Sequence, residues 1–350
     1  MGTMEKDISV LHVDTGRDWR GGQRQVLTLH KEMLNRNINS YLLCNKDGLL
    51  YENALIDKVK NIFYFKPSLF SLKNQTNKII NSIRPNIVHC HDSKSVLITK
   101  KSKNYYIFHT RRVSYPLSLL SVLFKYKKVD VHIAVNPSIK KYLLKFFKTV
   151  YFIPSCIDVI RFQKVQTIDN IKKENINILY IGAFTEQKGI DILLNSLPEV
   201  IKQEPNLKIH LVGDGHLING MKQLASKKQL NKNIIFYGRR NDVEKFYLSC
   251  DYFVFPSING EGSSGVIKEA LAAGITVISS DLKDNLSLIE DKKTGFLFKN
   301  GSHKSLSFVL NKLLNKRIKL NKEKLRKSIE KYHCKTTVSM HIEKYKKYSK

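Results

Sequence analysis

Residues 252–274 read YFVFPSINGEGSSGVIKEALAAG, and this stretch decides the fold. Four apolar residues predict a buried strand, a Gly/Ser-rich turn follows, and a small-residue helix ends at a glycine. Ligands of open α/β sheets bind beyond the carboxyl ends of the strands. The free N–H groups of such a turn can hold phosphate or sugar oxygens, so we expect a binding site here.

Two carboxylates stand in this stretch with seven residues between them. Glu261 precedes the predicted helix, at the ligand end. Glu269 lies on the second helical turn, where a carboxylate can accept hydrogen bonds from a diol such as ribose. The competing interpretation is that both are ordinary solvated helix charges. The apolar, small-residue surroundings of the helix favour a site.

Strands and helices alternate along the whole chain, which predicts an α/β fold of two Rossmann-like doubly wound domains facing a cleft. We expect a first domain over 1–165, a second domain over 166–332, and a C-terminal helix over 333–350 that returns to the first domain. The polar stretch 163–175 is the predicted linker. Strands are predicted at 8–13, 40–43, 87–91, 105–109 and 131–135, then at 176–181, 208–212, 234–237, 252–255 and 276–279.

The composition indicates the cellular compartment of the protein and the charge of its binding partners. Five scattered cysteines without a CxxC pair predict reduced thiols, and no apolar run predicts a signal peptide or a membrane span. We therefore expect a cytoplasmic protein. The formal net charge is +30, concentrated in residues 94–150 and 301–350, which favours an anionic partner. The charge leaves open a nucleic-acid-binding protein, although no nucleic-acid-binding motif is present.

Two further turns follow predicted strands. The pair Gly21-Gly22 opens a helix, where the backbone of small residues allows close approach of an anion; an ordinary strand-to-helix turn is the alternative. The turn at 182–189 carries Lys188, whose ammonium group could neutralise a phosphate. Arg239 and Arg240 follow the strand at 234–237 and could grip phosphate oxygens, unless they are merely solvated.

The stretch at 256–274 resembles the E-x7-E signature of retaining glycosyltransferases of family 4, and the resemblance continues along nearly the whole chain. It implies a GT-B fold, a nucleotide-sugar donor and retention of anomeric configuration without a bound metal or other cofactor. Other blocks in the family's order are WRGGQRQVLTLHKEML (19–34), PNIVHCHDS (85–93), VHIAVNPSIKKYL (131–143), YFIPSCID (151–158), YIGAFTEQKGIDILL (180–194), LVGDGHLINGMKQLA (211–225), FYGRRNDVEKFYLSCDYFVFPS (236–257) and TGFLF (294–298).

The resemblance also implies roles for individual residues. Glu261 would contact the donor sugar, Glu269 the ribose, and Lys188 the leaving diphosphate. His109 would lie near the donor sugar, unless it is a hydrogen-bonded structural histidine. The residues that would hold sugar and diphosphate through their backbone are Gly262, Ser263, Ser264 and Gly265, with Gly21 and Gly22 from the first domain.

Three positions depart from the family pattern. Ala183 stands where the family usually has an arginine that pairs with the lysine on the diphosphate. The glycine turn 261–265 is one residue longer than usual, and Cys156 occupies a common glycine position. The missing arginine leaves open an inactive relative that serves as a binding subunit.

Two other segments suggest partners. His89 and His91 share one face of a strand, but a zinc site needs more ligands, so we expect no metal and instead place His91 or Asp92 on the acceptor side. Residues 117–128 are apolar and then abruptly basic, which suits a segment in an anionic membrane interface; a core helix with a basic end is the alternative. We expect a peripheral enzyme on the inner face of the cytoplasmic membrane.

The predicted function follows from these observations taken together. We expect the chain to transfer sugar from a nucleotide-sugar donor to a lipid-linked or saccharide acceptor of envelope polysaccharide, lipopolysaccharide or capsule. Nucleic acid is not an expected partner.

Overall fold

The computed structural model describes residues 8–65, 69–162, 166–168, 170–172, 174–259 and 264–349. The chain divides into two compact units. The first comprises Met1–Cys156 together with Cys334–Lys350, and the second comprises Ile157–His333. The chain therefore crosses between the units twice, at residues 156/157 and 333/334.

The first unit is built on a seven-stranded, all-parallel sheet with the order β3-β2-β1-β4-β5-β6-β7. The order reverses between β1 and β4, and in doubly wound sheets this switch point is where ligands bind. In chain order the elements are β1 (Ser9–Val13), α1 (Gly21–Asn35), β2 (Asn39–Asn45), α2 (Leu49–Ile56), β3 (Ile62–Phe65), α3 (Leu69–Ile83), β4 (Ile87–Cys90), α4 (Ser93–Ile98), β5 (Tyr106–Arg111), β6 (Val131–Ala134), α5 (Pro137–Leu143) and β7 (Val150–Phe152).

The second unit has a six-stranded parallel sheet with the order β10-β9-β8-β11-β12-β13 and the same reversal, here between β8 and β11. The predicted fold class, two Rossmann-like doubly wound domains, is thus confirmed. Its elements are β8 (Ile176–Ile181), α6 (Ile190–Gln203), β9 (Leu207–Val212), α7 (Ile218–Lys227), β10 (Ile234–Gly238), α8 (Val243–Ser249), β11 (Tyr252–Phe255), α9 (Gly265–Ala273), β12 (Thr276–Ser280), β13 (Phe296–Phe298), α10 (His303–Asn315) and α11 (Lys322–Ser328).

The C-terminal helix α12 (Cys334–Tyr348) packs against α1 of the first unit. Its Tyr345 is fully buried, and the Tyr345 hydroxyl lies 2.6 Å from Nδ1 of His89 in β4. Arg36 at the end of α1 donates to the Ser339 hydroxyl and to the Lys335 carbonyl. These contacts explain why the last residues of the chain belong to the first unit.

Each sheet is covered on both faces, as parallel strands require. In the first unit, one face packs Ile8, Val10, Phe108 and neighbours against α1 and α12, and the other packs residues such as Leu11, Val88 and Ile107. In the second unit, the aliphatic residues of α6 and α10 cover one face, and α8 and α9 cover the other. The packed faces leave the carboxyl edge of each sheet for the loops that carry the candidate site.

Candidate functional site

The loops after β8 and β11 meet through their backbones at the carboxyl edge of the second sheet. The Ile258 N–H donates to the Gln187 carbonyl at 2.9 Å. Gly189 has φ +60°, and a Cβ built on it would lie 2.2 Å from the carbonyl oxygen of Pro256. Only glycine fits such a left-handed, close-packed position. The two loops that flank the switch point are therefore held rigidly against each other.

The loop after β9 is joined to the same assembly. The Phe184 N–H donates to the Asp214 carbonyl at 3.0 Å, and the Leu217 N–H donates to the Phe184 carbonyl at 3.1 Å. Gly213 has φ +140°, and its Cβ would lie 1.9 Å from the carbonyl oxygen of Gly182. Three strand ends thus present closely packed backbone that a ligand can approach without meeting bulky side chains.

Lys188 lies in this assembly, as its position after β8 predicted. The side chain is half-buried, and Nζ lies 5.8 Å from the centre of the Phe255 ring at the end of β11. The ring limits the directions the side chain can take. Ala183 in the same loop is exposed and supplies no charge, while its carbonyl accepts from the Tyr180 hydroxyl at 3.0 Å.

Helix α9 begins beside this loop assembly, directly after Ser264. The Ser264 hydroxyl caps the helix by accepting from the Ile267 N–H, and its side chain is buried. Such a helix start directs free N–H groups and a partial positive charge at the space in front of it. Glu261, Gly262 and Ser263 lie outside the described residues, so their predicted roles stay predictions.

Glu269 is half-buried on α9, and the structure gives it a partner that the sequence did not indicate. The Tyr247 hydroxyl of α8 lies 3.1 Å from Oε2 of Glu269 and 3.2 Å from the Val266 carbonyl oxygen. A fully solvated glutamate would have no such neighbour. Tyr247 therefore orients the carboxylate, and only the packing of α8 on α9 brings the two together.

The two arginines after β10 differ in their contacts. Arg240 forms a bidentate ion pair with Asp242, with distances of 2.9 and 2.8 Å, and this hydrogen bonding raises the pKa of Arg240. A phosphate would have to compete with that carboxylate. Arg239 is exposed and has no ion pair within the described part of the chain. Arg239 is thus the better placed of the two predicted phosphate ligands.

In the first unit, the glycine pair opens α1 as predicted. A Cβ on Gly21 would meet nothing within 4 Å, and a Cβ on Gly22 would lie 3.6 Å from Cδ of Arg112. Arg112 follows β5, while α1 follows β1. The structure thus brings the Arg112 side chain beside the start of α1, while its guanidinium donates to the carbonyl and the ring of His91. Inspection of the sequence did not identify this contact.

Two aspartates follow the strands at the switch point of the first sheet. Asp14, after β1, is buried and accepts from the Gly16 N–H at 2.9 Å and from Gln23 at 3.2 Å. Burial and the nearby Asp92 raise the pKa of Asp14. Asp92, predicted on the acceptor side, accepts from the backbone of Thr15, Lys94 and Ser95 and from the Thr15 hydroxyl, so it caps α4 and fixes the loop after β1.

His91 belongs to a chain of hydrogen bonds that fixes its tautomer. Arg112 can only donate, so Nδ1 of His91, 3.2 Å from Nη2, is the acceptor. Nε2 of His91 then carries the proton and donates to Nδ1 of His12 at 3.0 Å. Burial lowers the pKa of both histidines far below the usual value, which keeps them neutral. The chain ends at Nε2 of His12, a buried atom without a partner among the described residues.

His12, His89 and His91 also form a group whose ligand atoms lie within 4.8 Å of one another. Both nitrogens of His89 have partners, the hydroxyls of Tyr345 and Thr110 at 2.6 and 2.7 Å. A cation here would displace these bonds and face the Arg112 guanidinium. The expectation of no metal stays a prediction.

His109, predicted near the donor sugar, is buried in β5. Its Nδ1 lies 3.3 Å from Nδ1 of His132, and its ring lies 5.0 Å from the Tyr126 ring, centre to centre. Burial lowers the pKa of His109 well below its usual value. These contacts match the structural alternative, and they place His109 beneath the carboxyl edge of the first sheet.

Cys156, at a position where a glycine was expected, makes two backbone hydrogen bonds to the Gln25 amide of α1, both at 2.7 Å. These bonds hold the last residue of the unit's first segment against α1. Because they involve only the backbone of Cys156, its side chain does not prevent them.

Both units are doubly wound parallel sheets whose loops at a switch point carry the candidate site residues, which defines an α/β protein with ligand-binding strand ends. Comparison with known proteins identifies its family. Residues 162–336 match the family model described as glycosyl transferases group 1, and residues 19–161 match the model of glycosyltransferase family 4. The chain belongs to the group 1 glycosyltransferases, and the predicted resemblance to family 4 is confirmed.

Among relatives, the phosphatidyl-myo-inositol mannosyltransferase of Mycobacterium tuberculosis is 30% identical over 148 residues, covering 41% of this chain and 38% of that protein. The capsular polysaccharide biosynthesis glycosyltransferase CapM of Staphylococcus aureus is 28% identical over 166 residues, covering 45% and 43%. The chain thus matches about two fifths of the length of these relatives.

Among solved structures, HepE of Anabaena in complex with UDP superposes with a TM-score of 0.82 at 16% identity, covering 96% of this chain and 99% of that one. At this identity the likeness establishes the fold alone. It extends across both units and identifies the fold as GT-B. In the described part of the chain, no helix is long and apolar enough to cross a membrane.

Proposed function

We propose that the chain is a retaining glycosyltransferase that takes sugar from a nucleotide-sugar donor. One observation carries the proposal. At the switch point of the second sheet, Lys188 and the start of α9 offer positive charge beside interlocked backbone loops, and α9 also carries the oriented carboxylate of Glu269. A nucleoside diphosphate needs both, because its phosphates are anionic and its ribose is a diol.

Each charged or polar group at the proposed donor site has its own role. Lys188 compensates the negative charge that develops on the leaving diphosphate, and the backbone N–H groups of 262–265 bind sugar and phosphate oxygens. Glu269 accepts hydrogen bonds from the ribose hydroxyls. Glu261 contacts the donor sugar. The charge lost at Ala183 is supplied in part by Arg239.

The first unit supplies the acceptor side. The open backbone at Gly21 and Gly22 allows close approach of the donor phosphates, and Arg112 adds a charge beside it. Asp14 and His91 line the switch point where a hydroxyl acceptor would bind. His109 supports the carboxyl edge of the first sheet through its contact with His132.

The acceptor is a lipid-linked or saccharide intermediate of envelope polysaccharide, such as lipopolysaccharide or capsule. Names of relatives support this class: one is a phosphatidyl-myo-inositol mannosyltransferase and another acts in capsular polysaccharide biosynthesis. The net charge of +30 suits work at an anionic surface, on the inner face of the cytoplasmic membrane. No metal is proposed, so activity should survive exhaustive chelation and need no added manganese.

The test combines a panel of UDP-, GDP-, ADP- and CMP-sugars with three variants. Calorimetry identifies the donor that binds, and transfer is then measured with that donor. Glu261→Gln should reduce turnover more than donor affinity, because it removes a contact that strengthens in the transition state. Glu269→Gln should weaken binding of ribonucleotides. Glu323→Gln, an exposed position on α11, is the matched control and should change neither.

Two results would contradict the proposal. Turnover of Glu261→Gln within a few-fold of wild type would remove Glu261 from the reaction. Donor binding without transfer to any envelope extract would favour an inactive binding subunit over an active transferase. The missing cation at Ala183 is the reason for considering that alternative. Binding of random oligonucleotides tighter than any nucleotide sugar would favour a nucleic-acid-binding protein instead.

A further inference from the structure

The largest group of exposed apolar side chains in the described first unit lies between β5 and β6. Leu119, Leu120 and Phe124 are 71%, 69% and 78% exposed, and Leu123 is exposed as well. We call these four residues the apolar ridge. A core helix was one interpretation of this segment, and the exposure of the ridge contradicts it. Contiguous exposed apolar surface of this kind marks an interaction site.

The ridge is held in place at both of its ends. Before it, Arg111 donates to the Tyr115 carbonyl, and the Leu117 N–H donates to the Tyr142 hydroxyl at 2.6 Å. After it, the Tyr126 ring is buried against His109. The turn Ser121–Lys125 between these anchors buries none of its residues. The fold therefore presents the ridge outward as a fixed projection.

Positive charge adjoins the ridge, and no acid among the described residues forms an ion pair with it. Lys125, Lys127 and Lys128 follow it directly, and the Lys125 ammonium contacts the Ser93 hydroxyl at 3.2 Å and the face of a tyrosine ring, neither of which is an acid. Between residues 94 and 150 the sequence has thirteen Lys or Arg and a single acid, Asp130. Asp130 forms an ion pair with Lys101 and accepts a hydrogen bond from the Ile107 N–H of β5. Lys125 and Lys127 thus form no ion pair within the described residues, whereas the Lys128 ammonium donates to two backbone carbonyls.

We propose that the apolar ridge and the adjoining lysines form a docking surface for an anionic phospholipid bilayer. Apolar side chains that enter the interface gain by leaving water, and lysines beside them gain from the negative lipid headgroups. A second copy of the chain is a poorer occupant, because a symmetric contact would bring two uncompensated lysine clusters together. Docking would bring the first unit to a lipid-linked acceptor, and this purpose rests on the proposed function.

The test is vesicle co-sedimentation of the full chain, with phosphatidylcholine alone or with 30 mol% phosphatidylglycerol (about one charge in three lipids, chosen to mimic an anionic surface). One variant changes the ridge to serine: Leu119→Ser, Leu120→Ser, Leu123→Ser and Phe124→Ser. A second, Lys125→Gln with Lys127→Gln, keeps the ridge and removes charge. Lys128 is left intact because its ammonium donates to the carbonyls of Leu97 and Thr99.

Wild type should bind anionic vesicles, and added salt should weaken that binding. The lysine variant should lose roughly 5-fold in affinity per lysine, and the difference should vanish at high salt. The ridge variant should lose more than about tenfold at every salt concentration, because apolar transfer is not screened. Two controls should bind like wild type: Ile56→Ser with Phe308→Ser, both exposed apolar positions outside the ridge, and Lys227→Gln with Lys228→Gln at the end of α7.

Unchanged binding of the ridge variant to anionic vesicles would overturn the proposal, as would equal binding of wild type to neutral and anionic vesicles. So would a wild-type dimer in sedimentation equilibrium that the ridge variant dissociates, because the ridge would then bind a second copy. The vesicles contain no acceptor, so a failure of sugar transfer does not affect the outcome. Nucleoside diphosphate binding by both variants should equal that of wild type, which shows that they are folded.

Discussion

The two units share a parallel, doubly wound sheet but differ in what the sheet buries. In the first unit six histidines are buried: His12, His30, His89, His91, His109 and His132. The second unit buries one within its described residues, His210. The other buried polar residues on the strands of the second sheet carry amide or hydroxyl side chains: Asn177 in β8 and Thr276, Ser279 and Ser280 in β12. One architecture therefore tolerates a polar interior, provided that each imidazole remains neutral and hydrogen-bonded.

The carboxyl edges of the two sheets also differ in the groups that they expose. The second sheet ends in glycines at 182, 213 and 238, which expose backbone, whereas the first ends in charged side chains at Asp14, Asp92 and Arg112. Backbone N–H groups suit phosphate, while buried carboxylates suit hydroxyl groups. The difference agrees with the proposal that the second unit binds the donor while the first supplies the acceptor side together with the backbone of Gly21 and Gly22. The following predictions test that proposal.

The largest expected effect is selective acid instability of the first unit. Burial lowers the pKa of His30 to about 4 and of His132 to about 3, below the value near 6.5 of an unfolded chain. The unfolded state then binds more protons, so stability falls as the pH drops from about 6.5 towards 4. Each such histidine costs about 2 kcal/mol of unfolding free energy at pH 5. Trp19, the single tryptophan, reports on the first unit by fluorescence, and hydrogen exchange of β8 and β9 reports on the second.

The first unit should lose structure at a higher pH than the second. His132→Phe, which keeps the stacking on Phe147 at 4.0 Å, should move the Trp19 transition to lower pH. The exposed His303→Gln is the control and should leave it in place. Coincident transitions of both reporters would show that the histidine-rich interior is not the weak point.

The second effect concerns the diphosphate charge in the second unit. Lys188→Gln should reduce turnover by about 10²- to 10³-fold, the cost of losing one group that stabilises developing negative charge. Steady-state kinetics with the identified donor measures it, with the exposed Lys202→Gln as the matched control. If KM rises while turnover is unchanged, Lys188 binds the ground state and the transition state equally and does not selectively stabilise the developing charge.

The third effect separates the two arginines after β10. Arg239→Ala should weaken nucleoside diphosphate binding by about tenfold, the worth of one exposed phosphate contact. Arg240→Ala should do less, because Arg240 is already paired with Asp242. Calorimetry with nucleoside and nucleoside diphosphate distinguishes the cases. Equal losses for both ligands would mean that Arg239 contacts the base or ribose and that the missing charge at Ala183 is not replaced here.

The smallest effect is expected for alanine substitutions at two glycines, Gly21 in the first unit and Gly220 in the second. A Cβ added at either position would meet no atom within 4 Å. Gly220→Ala lies inside α7 and should stabilise the protein by about 0.5–1 kcal/mol without changing activity. Gly21→Ala should leave stability nearly unchanged or slightly raised, yet lower donor affinity, because the methyl group occupies the space of a ligand. Thermal unfolding and donor binding are measured on both. A Gly21→Ala enzyme with normal affinity would make this glycine pair an ordinary turn.

The fold class, the order of the elements and the positions of Lys188 and Glu269 could be predicted from the sequence, because apolar periodicity and turn residues act over neighbouring residues. Contacts between distant residues became visible in the folded chain alone. The tertiary structure joined His12 to His91, Arg112 to the start of α1, and Tyr247 to Glu269. The order of strands in the sheet determines these contacts, and local periodicity does not encode that order.

The exposure of the apolar ridge is another feature that the sequence could not predict. Leucine and phenylalanine at 119–124 have a composition compatible with a core helix and with an exposed projection alike. What decides between them is whether another element covers these side chains. Here the anchors at Tyr115 and Tyr126 direct the ridge away from the sheet, and no element of the described chain buries it.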